Sequence, residues 1–261
     1  MDLTDAYEIG AHTPNMDAYR AAWPVDAAAF RENTHGRLDL VYGPDDRQRF
    51  DLFEPQTAPL GLAVFVHGGY WRITSKDLWS HLAAGAVARG WAVAVPSYRL
   101  APRVRISEIT QDVATAITAA ADLVQGPIVI SGHSAGGHLA ARMLCRGVLP
   151  EQVAKRVRHG APISALSDLR PLMHTAMNSD LQIDPNEAMA ESPALISDRI
   201  DADCTVWVGA EERPALLDQS RWLAEAWDAD LRIAPGRHHF DVIADLTDPD
   251  SPLVRNMLGV G

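Results

Sequence analysis

The chain has 261 residues, 47% hydrophobic and 22% charged, enough to bury the core of one α/β domain of the larger kind. Its net charge is −11 and its basic residues are scattered, so nucleic acid is not an expected partner: phosphate binding needs a concentrated cationic face. Met1-Asp-Leu-Thr-Asp-Ala6 lacks the basic and apolar regions of a secretory signal, no apolar run approaches membrane-spanning length, and the two cysteines, Cys145 and Cys204, read as buried thiols, so a cytoplasmic location without membrane contact is expected.

Residues 1–33 carry Pro14 and Pro24, a helical stretch near 26–33 and no strong strand signal; they read as an N-terminal arm lying over the domain. Residues 37–42 and 49–53 alternate apolar and polar around Gly43-Pro-Asp-Asp46, the pattern of an opening hairpin. Leu60-Gly-Leu-Ala-Val-Phe-Val66 is continuously apolar, as a strand buried on both faces of a parallel sheet must be, and it ends in His67-Gly-Gly-Tyr-Trp71. A helix is expected over 77–89, closed by Gly90, then a buried strand over 91–95, a loop over 97–102 and an Ala-rich helix over 106–124.

Pro127-Ile-Val-Ile-Ser-Gly-His-Ser-Ala-Gly-Gly-His138 follows, a β-branched strand running into a sharp turn at Ser134 and then a helix. That context turns G-x-S-x-G into a nucleophile elbow, with glycines where any Cβ would strike neighbouring backbone. Residues 160–165 read as a shorter strand. Residues 166–200, with Pro171, Pro185 and Pro193, are long for a connection and read as a small cap over the active edge of the sheet. A strand over 204–208, a helix over 214–228, a strand over 231–234 and a final helix over 242–246 complete a doubly wound, mostly parallel α/β sheet, whose sites belong at the C-terminal strand ends.

A serine hydroxyl needs a base, and the base needs a third group to fix its tautomer. On this topology the order should be Ser, acid, His. Ser134 is followed by Glu211 and Glu212 on the loop after 204–208, then by His238 and His239 on the loop after 231–234. Glu212, deeper in its loop, and His239, next to the following helix, are the expected acid and base. Gly68, Gly69 and the amide of Ala135 are the candidate oxyanion donors. Tyr70 and Trp71 are candidates to line the substrate pocket, or equally core aromatics of their loop. Ten histidines invite a metal, yet H-E-x-x-H and C-x-x-C spacings are absent, as are G-x-G-x-x-G and Walker loops, so neither metal nor cofactor is expected.

His67-Gly-Gly-Tyr-Trp71, Gly132-His-Ser-Ala-Gly-Gly-His-Leu139 and His239-Phe240 together resemble the α/β-hydrolase fold, and within it the kynurenine formamidase (arylformamidase) family. The resemblance extends to Leu40-Val-Tyr-Gly43, Asp51-Leu-Phe53, Asp168-Leu-Arg-Pro-Leu172, Ser192-Pro193 and Gln219-Ser220, and so covers nearly the whole chain as one hydrolase domain. It implies a Ser134–Glu212–His239 triad that cleaves an aryl formamide, N-formyl-L-kynurenine, through an acyl-enzyme. Eukaryotic members of that family carry Asp as the acid, which leaves the choice between Glu211 and Glu212 open. Ser97-Tyr-Arg-Leu-Ala-Pro102 also resembles hormone-sensitive-lipase-like esterases, so a short-acyl carboxylesterase or thioesterase is the alternative. The expected partners are a small-molecule substrate and, as an open option, a second copy in a homodimer.

Overall fold

The computed structural model describes residues 1–259. Eight strands form one sheet: β1 (Gly36–Val41), β2 (Arg49–Phe53), β3 (Leu62–Val66), β4 (Ala92–Pro96), β5 (Ile128–His133), β6 (Val157–Ile163), β7 (Asp203–Gly209) and β8 (Asp230–Ala234). Their spatial order is β1-β2-β4-β3-β5-β6-β7-β8. β1 and β2, and β2 and β4, pair antiparallel, while the pairs from β4 through β3 to β8 are parallel. Every residue of β3, β4 and β5 is buried, the physical reason their sequences run apolar without alternation.

The helices are α1 (Thr4–Tyr7), α2 (Met16–Asn33), α3 (Ala84–Ala88), α4 (Ile106–Leu123), α5 (Ala135–Met143), α6 (Glu151–Ala154), α7 (Asn178–Leu181), α8 (Pro185–Glu191), α9 (Pro214–Trp227) and α10 (Pro252–Leu258). Two apolar clusters pack the two faces of the sheet. One joins α4, α5 and α9 to alternate residues of the strands; the other joins Trp79, Leu82, Leu246 and α10 to the opposite set.

Four of the expected helices and strands differ from the sequence expectation. The helix expected over 77–89 is broken into 3₁₀ turns at Lys76–Leu78 and Ser80–Ala83 before α3. The Lys76 ammonium is held by Asp39, Asp51 and Asp77 at 2.8–2.9 Å while Trp79 packs on Trp23, with ring centroids 4.8 Å apart. Those contacts override local helix propensity. β1 does not alternate: Leu38 and Val41 are exposed, and the register slips between Arg37 and Leu40, a bulge that suits an edge strand. α2 begins ten residues before the expected stretch and runs straight through Pro24, giving up one intrahelical hydrogen bond there. The last expected helix, 242–246, is a 3₁₀ turn at Ala244–Thr247, followed by α10.

The segment over 166–200 carries α7, α8 and two 3₁₀ turns, but it docks beside α4 and α5 instead of over Ser134. On α8, Glu187 takes Arg105 at 2.6 Å and Glu191 takes Arg142 at 3.0 Å and Thr110 Oγ1 at 2.7 Å. These ion pairs, the Arg142–Glu191 one buried, tie the expected cap to the flank of the domain. The roof over Ser134 is the N-terminal arm.

Candidate active site

Ser134 stands between β5 and α5 at φ 57°, ψ −118°, a conformation an L-residue holds only when its surroundings dictate it. Two contacts enforce the turn. A Cβ on Gly136 would lie 2.0 Å from the Val66 carbonyl oxygen, and one on Gly132 would lie 2.2 Å from the carbonyl of Gly136. The turn can therefore nest against the end of β3 only with hydrogen at both places. Ser134 N–H donates to Ile163 O at 2.9 Å, fixing the turn to β6 as well.

The loops that carry the expected acid and base follow β7 and β8. His239 Nδ1 lies 2.7 Å from Glu212 Oε2, and both side chains are almost wholly buried. The other carboxylate oxygen, Oε1, accepts Gly209 N–H at 3.0 Å and a short hydrogen bond from Ser164 Oγ. Burial alone would push the Glu212 carboxyl up, but the charge and hydrogen bond of His239, with the Ser164 and Gly209 donors, hold it below the usual carboxylate range. An ionised Glu212 accepts a hydrogen bond from His239 Nδ1–H, which leaves Nε2 as the acceptor. Glu211 is exposed, and among the described residues only its amide is engaged, donating to Arg237 O at 2.9 Å. His238 faces the arm, with Nε2 3.2 Å from Tyr19 Oη, and Phe240 N–H donates to its Nδ1 at 3.1 Å.

His133, inside the elbow, donates Nε2–H to the His239 carbonyl at 2.8 Å, and the two rings sit 4.4 Å apart. Burial, and then the neighbouring His239, push its imidazole well below the ordinary range, so it brings no positive charge against His239.

The H-G-G loop is held from behind. Gly68 O accepts Thr74 Oγ1–H and His67 Nδ1–H, each at 2.7 Å. In a trans peptide the following N–H points the opposite way, and Gly68 and Gly69 both line the cavity over Ser134. Among the described residues the Gly69 N–H has no protein acceptor. Gly69 (φ 115°), Tyr70 (φ 53°) and Trp71 (φ 57°) form a left-handed stretch, and a Cβ on Gly69 would lie 2.4 Å from Ile73 O. His67 stacks on Tyr98 at 4.3 Å and burial pushes it down to about 4, so its ring is the neutral Nδ1–H donor this arrangement requires. Ala135 opens α5, where an amide has no intrahelical partner.

A cavity of about 240 Å³ lies above these groups, lined by Ser134, His239, Gly68 and Gly69 at its base and by Trp23, Tyr70, Trp79 and Phe240 on its walls. Tyr70 thus lies where its sequence position suggested. Trp71 does not: it is 1% exposed and its indole N–H donates to His138 Nδ1 at 3.3 Å, making it a core aromatic because the left-handed loop turns it inward. No residue of 166–200 lines this cavity. Among the described residues no group of three or more His, Cys, Asp or Glu is placed to hold a metal, and no helix is long and apolar enough to cross a membrane.

A sequence model described as alpha/beta hydrolase fold matches residues 63–231, from β3 to the start of β8. The chain belongs to that family. The hydrolase is 30% identical to a kynurenine formamidase of Drosophila melanogaster over 83% of this chain and 78% of that one. To a kynurenine formamidase of Salmo salar it is 27% identical over 85% and 80%. It is therefore a kynurenine formamidase-like hydrolase. The crystal structure of a candidate thioesterase from Silicibacter sp. tm1040 superposes with a TM-score of 0.97 at 55% identity, covering 99% of both chains.

Two parts of the hydrolase site escaped sequence reasoning. Ser164 follows β6 at φ 50°, fully buried, and its hydroxyl donates to Glu212. The available signal was a serine at the C-terminal end of the strand lying between the elbow strand and the acid strand. The other is the arm: Met16, Arg20 and Trp23 reach the cavity from α2, and no local pattern announces a contact more than a hundred residues away in sequence.

Proposed function

We propose that the chain hydrolyses aryl formamides, N-formyl-L-kynurenine foremost, through Ser134, His239 and Glu212. The observation that carries this reading is the aromatic-walled cavity of about 240 Å³ opening on Ser134 and His239, in a chain similar over most of its length to kynurenine formamidases. His239 Nε2 takes the hydroxyl proton as Ser134 Oγ attacks the formyl carbon. The oxyanion is stabilised by the amides of Gly69 and Ala135, with Gly68 beside them. Collapse of the tetrahedral adduct breaks the C–N bond, and His239 delivers its proton to the departing aniline nitrogen. Water, deprotonated by the same imidazole, then cleaves the formyl ester, so one water is consumed for each amine and formate released. Trp23, Tyr70 and Phe240 hold the aryl group.

Short-acyl ester or thioester hydrolysis is the second reading, favoured by the 55% identity to the candidate thioesterase. A coenzyme A thioester would need cationic groups at the rim for its phosphates. The rim here sets Glu8 beside Arg20, with Asp17 in the adjoining surface depression, which favours the formamide. The deciding assay compares N-formyl-L-kynurenine, p-nitrophenyl acetate and acetyl-coenzyme A, with Ser134→Ala as control. The formamide should show by far the highest kcat/KM, and the variant should lose up to about a million-fold in turnover. A preference for the thioester would overturn the substrate assignment and keep the serine.

A further inference from the structure

Glu8 and Arg20 are the two formally charged side chains lining the cavity; the other lining residues are apolar, aromatic, hydroxyl, glycine or histidine. Both come from the N-terminal arm and both are exposed, so they line the cavity on its solvent side. They flank Gly10, where a Cβ would lie 3.5 Å from Glu8 Oε1 and 3.6 Å from an Arg20 terminal nitrogen. The two heads are thus separated by no more than the sum of those distances, yet they form no ion pair with each other. The Glu8 carboxylate is met by the Ala11 amide at 3.4 Å, a long contact, and Arg20 by Asp17 at 3.6 Å in a pair that is largely solvated. Such a pair is screened and weak, so the guanidinium remains available.

A carboxylate and a guanidinium that are not paired with each other, held a short gap apart at the mouth of an aromatic cavity, match one small-molecule feature above others: the zwitterionic head of an α-amino acid. We propose that Glu8 and Arg20 form the subsite for that head, the α-ammonium meeting Glu8 and the α-carboxylate meeting Arg20. This rests on the formamidase reading of the same cavity and deepens it by naming the two residues that select for the head of that substrate over a plain aryl formamide. With the formamide carbon at Ser134 and the ring against Trp23 and Phe240, the side arm has the arm of the protein as its neighbour. Gly10 then matters for its missing side chain, because anything larger would enter the gap between the two heads.

The test is the ratio of kcat/KM for N-formyl-L-kynurenine to that for formanilide, which offers the same aryl-formamide bond without the head. Arg20→Gln and Glu8→Gln should each lower that ratio about tenfold, mainly by raising KM for formylkynurenine, the size expected for one charge-assisted hydrogen bond at a solvated site. The wild-type ratio should also fall as salt is raised. An unchanged ratio in both variants, with the wild-type enzyme active on formylkynurenine, would overturn the subsite and leave the formamidase reading standing. A wild-type enzyme that cleaves neither formamide would overturn both.

Discussion

Two adjacent glutamates receive opposite roles from their surroundings. Glu212 is buried, bonded to His239 Nδ1 at 2.7 Å and supplied with donors by Ser164 and Gly209; Glu211 faces solvent. Glu212→Gln would present an amide to His239 and favour the wrong tautomer, so kcat should fall about ten-thousand-fold, while Glu211→Gln should change it less than about twofold. The reverse pattern in steady-state kinetics would assign the acid to Glu211. Ser164→Ala removes one of the donors that hold the Glu212 carboxyl down. Its ionisation then moves up, so the acid limb of the kcat/KM profile should shift to higher pH, with a stability loss of about 1 kcal/mol. A pH profile superposable on wild type would show that Ser164 serves packing alone.

At the scale of elements, the site is assembled from strand ends but roofed by a helix from the far end of the chain. α2 reaches it because Trp23 packs on Trp79 and Phe240, with ring centroids at 4.8 and 5.6 Å, and because Arg31 donates to Asp77 O at 2.6 Å and Ser80 Oγ at 2.8 Å. α1 is anchored separately, through the Tyr7 hydroxyl, which accepts from Gln219 Nε2 at 3.0 Å. The same Gln219 accepts the amides of Ser167 and Asp168 at 2.7 Å, so one buried side chain ties the arm to the segment after β6. Trp23→Ala should raise KM for an aryl substrate about tenfold or more by removing an apolar wall, with kcat moving far less. A fall in kcat at constant KM would instead make α2 part of the chemistry.

Across the whole molecule, three buried imidazoles make the fold acid-sensitive. Burial pushes His67 and His138 down to about 4, and burial together with His239 pushes His133 well below its ordinary range. His138 shows why the proton is refused: its Nδ1 accepts the Trp71 indole at 3.3 Å while its Nε2–H donates to Glu191 O at 2.7 Å. A second proton would leave the indole facing another donor. In the unfolded chain these histidines titrate near 6.5, so below that pH the unfolded state gains protons the native state does not. The stabilisation is complete above 6.5 and lost as pH falls towards 4. Denaturant unfolding should therefore give a lower free energy at pH 5 than at pH 7, and His138→Gln should flatten that difference while lowering stability at pH 7. An equal slope in the variant would move the acid sensitivity to other groups.

What the sequence determined by itself is whatever adjacent residues impose on one another. Gly132, Gly136 and the β-branched run before Ser134 require a strained strand-to-helix turn, and Gly68-Gly69 give side-chain-free backbone after β3; these are constraints of sterics and period, and they leave a pattern within a few residues. The parallel sheet was legible for the same reason, since strands buried on both faces must run apolar. The tertiary structure alone decided what distant residues do together. Trp71 lies in the core and not in the pocket, Ser164 buttresses Glu212, the segment over 166–200 is held at the flank by Glu187 and Glu191, and the arm that carries Glu8, Arg20 and Trp23 covers Ser134 in its place. Each of these is a choice between partners of similar chemistry, and such choices are made by packing across the whole chain, where local sequence carries no mark.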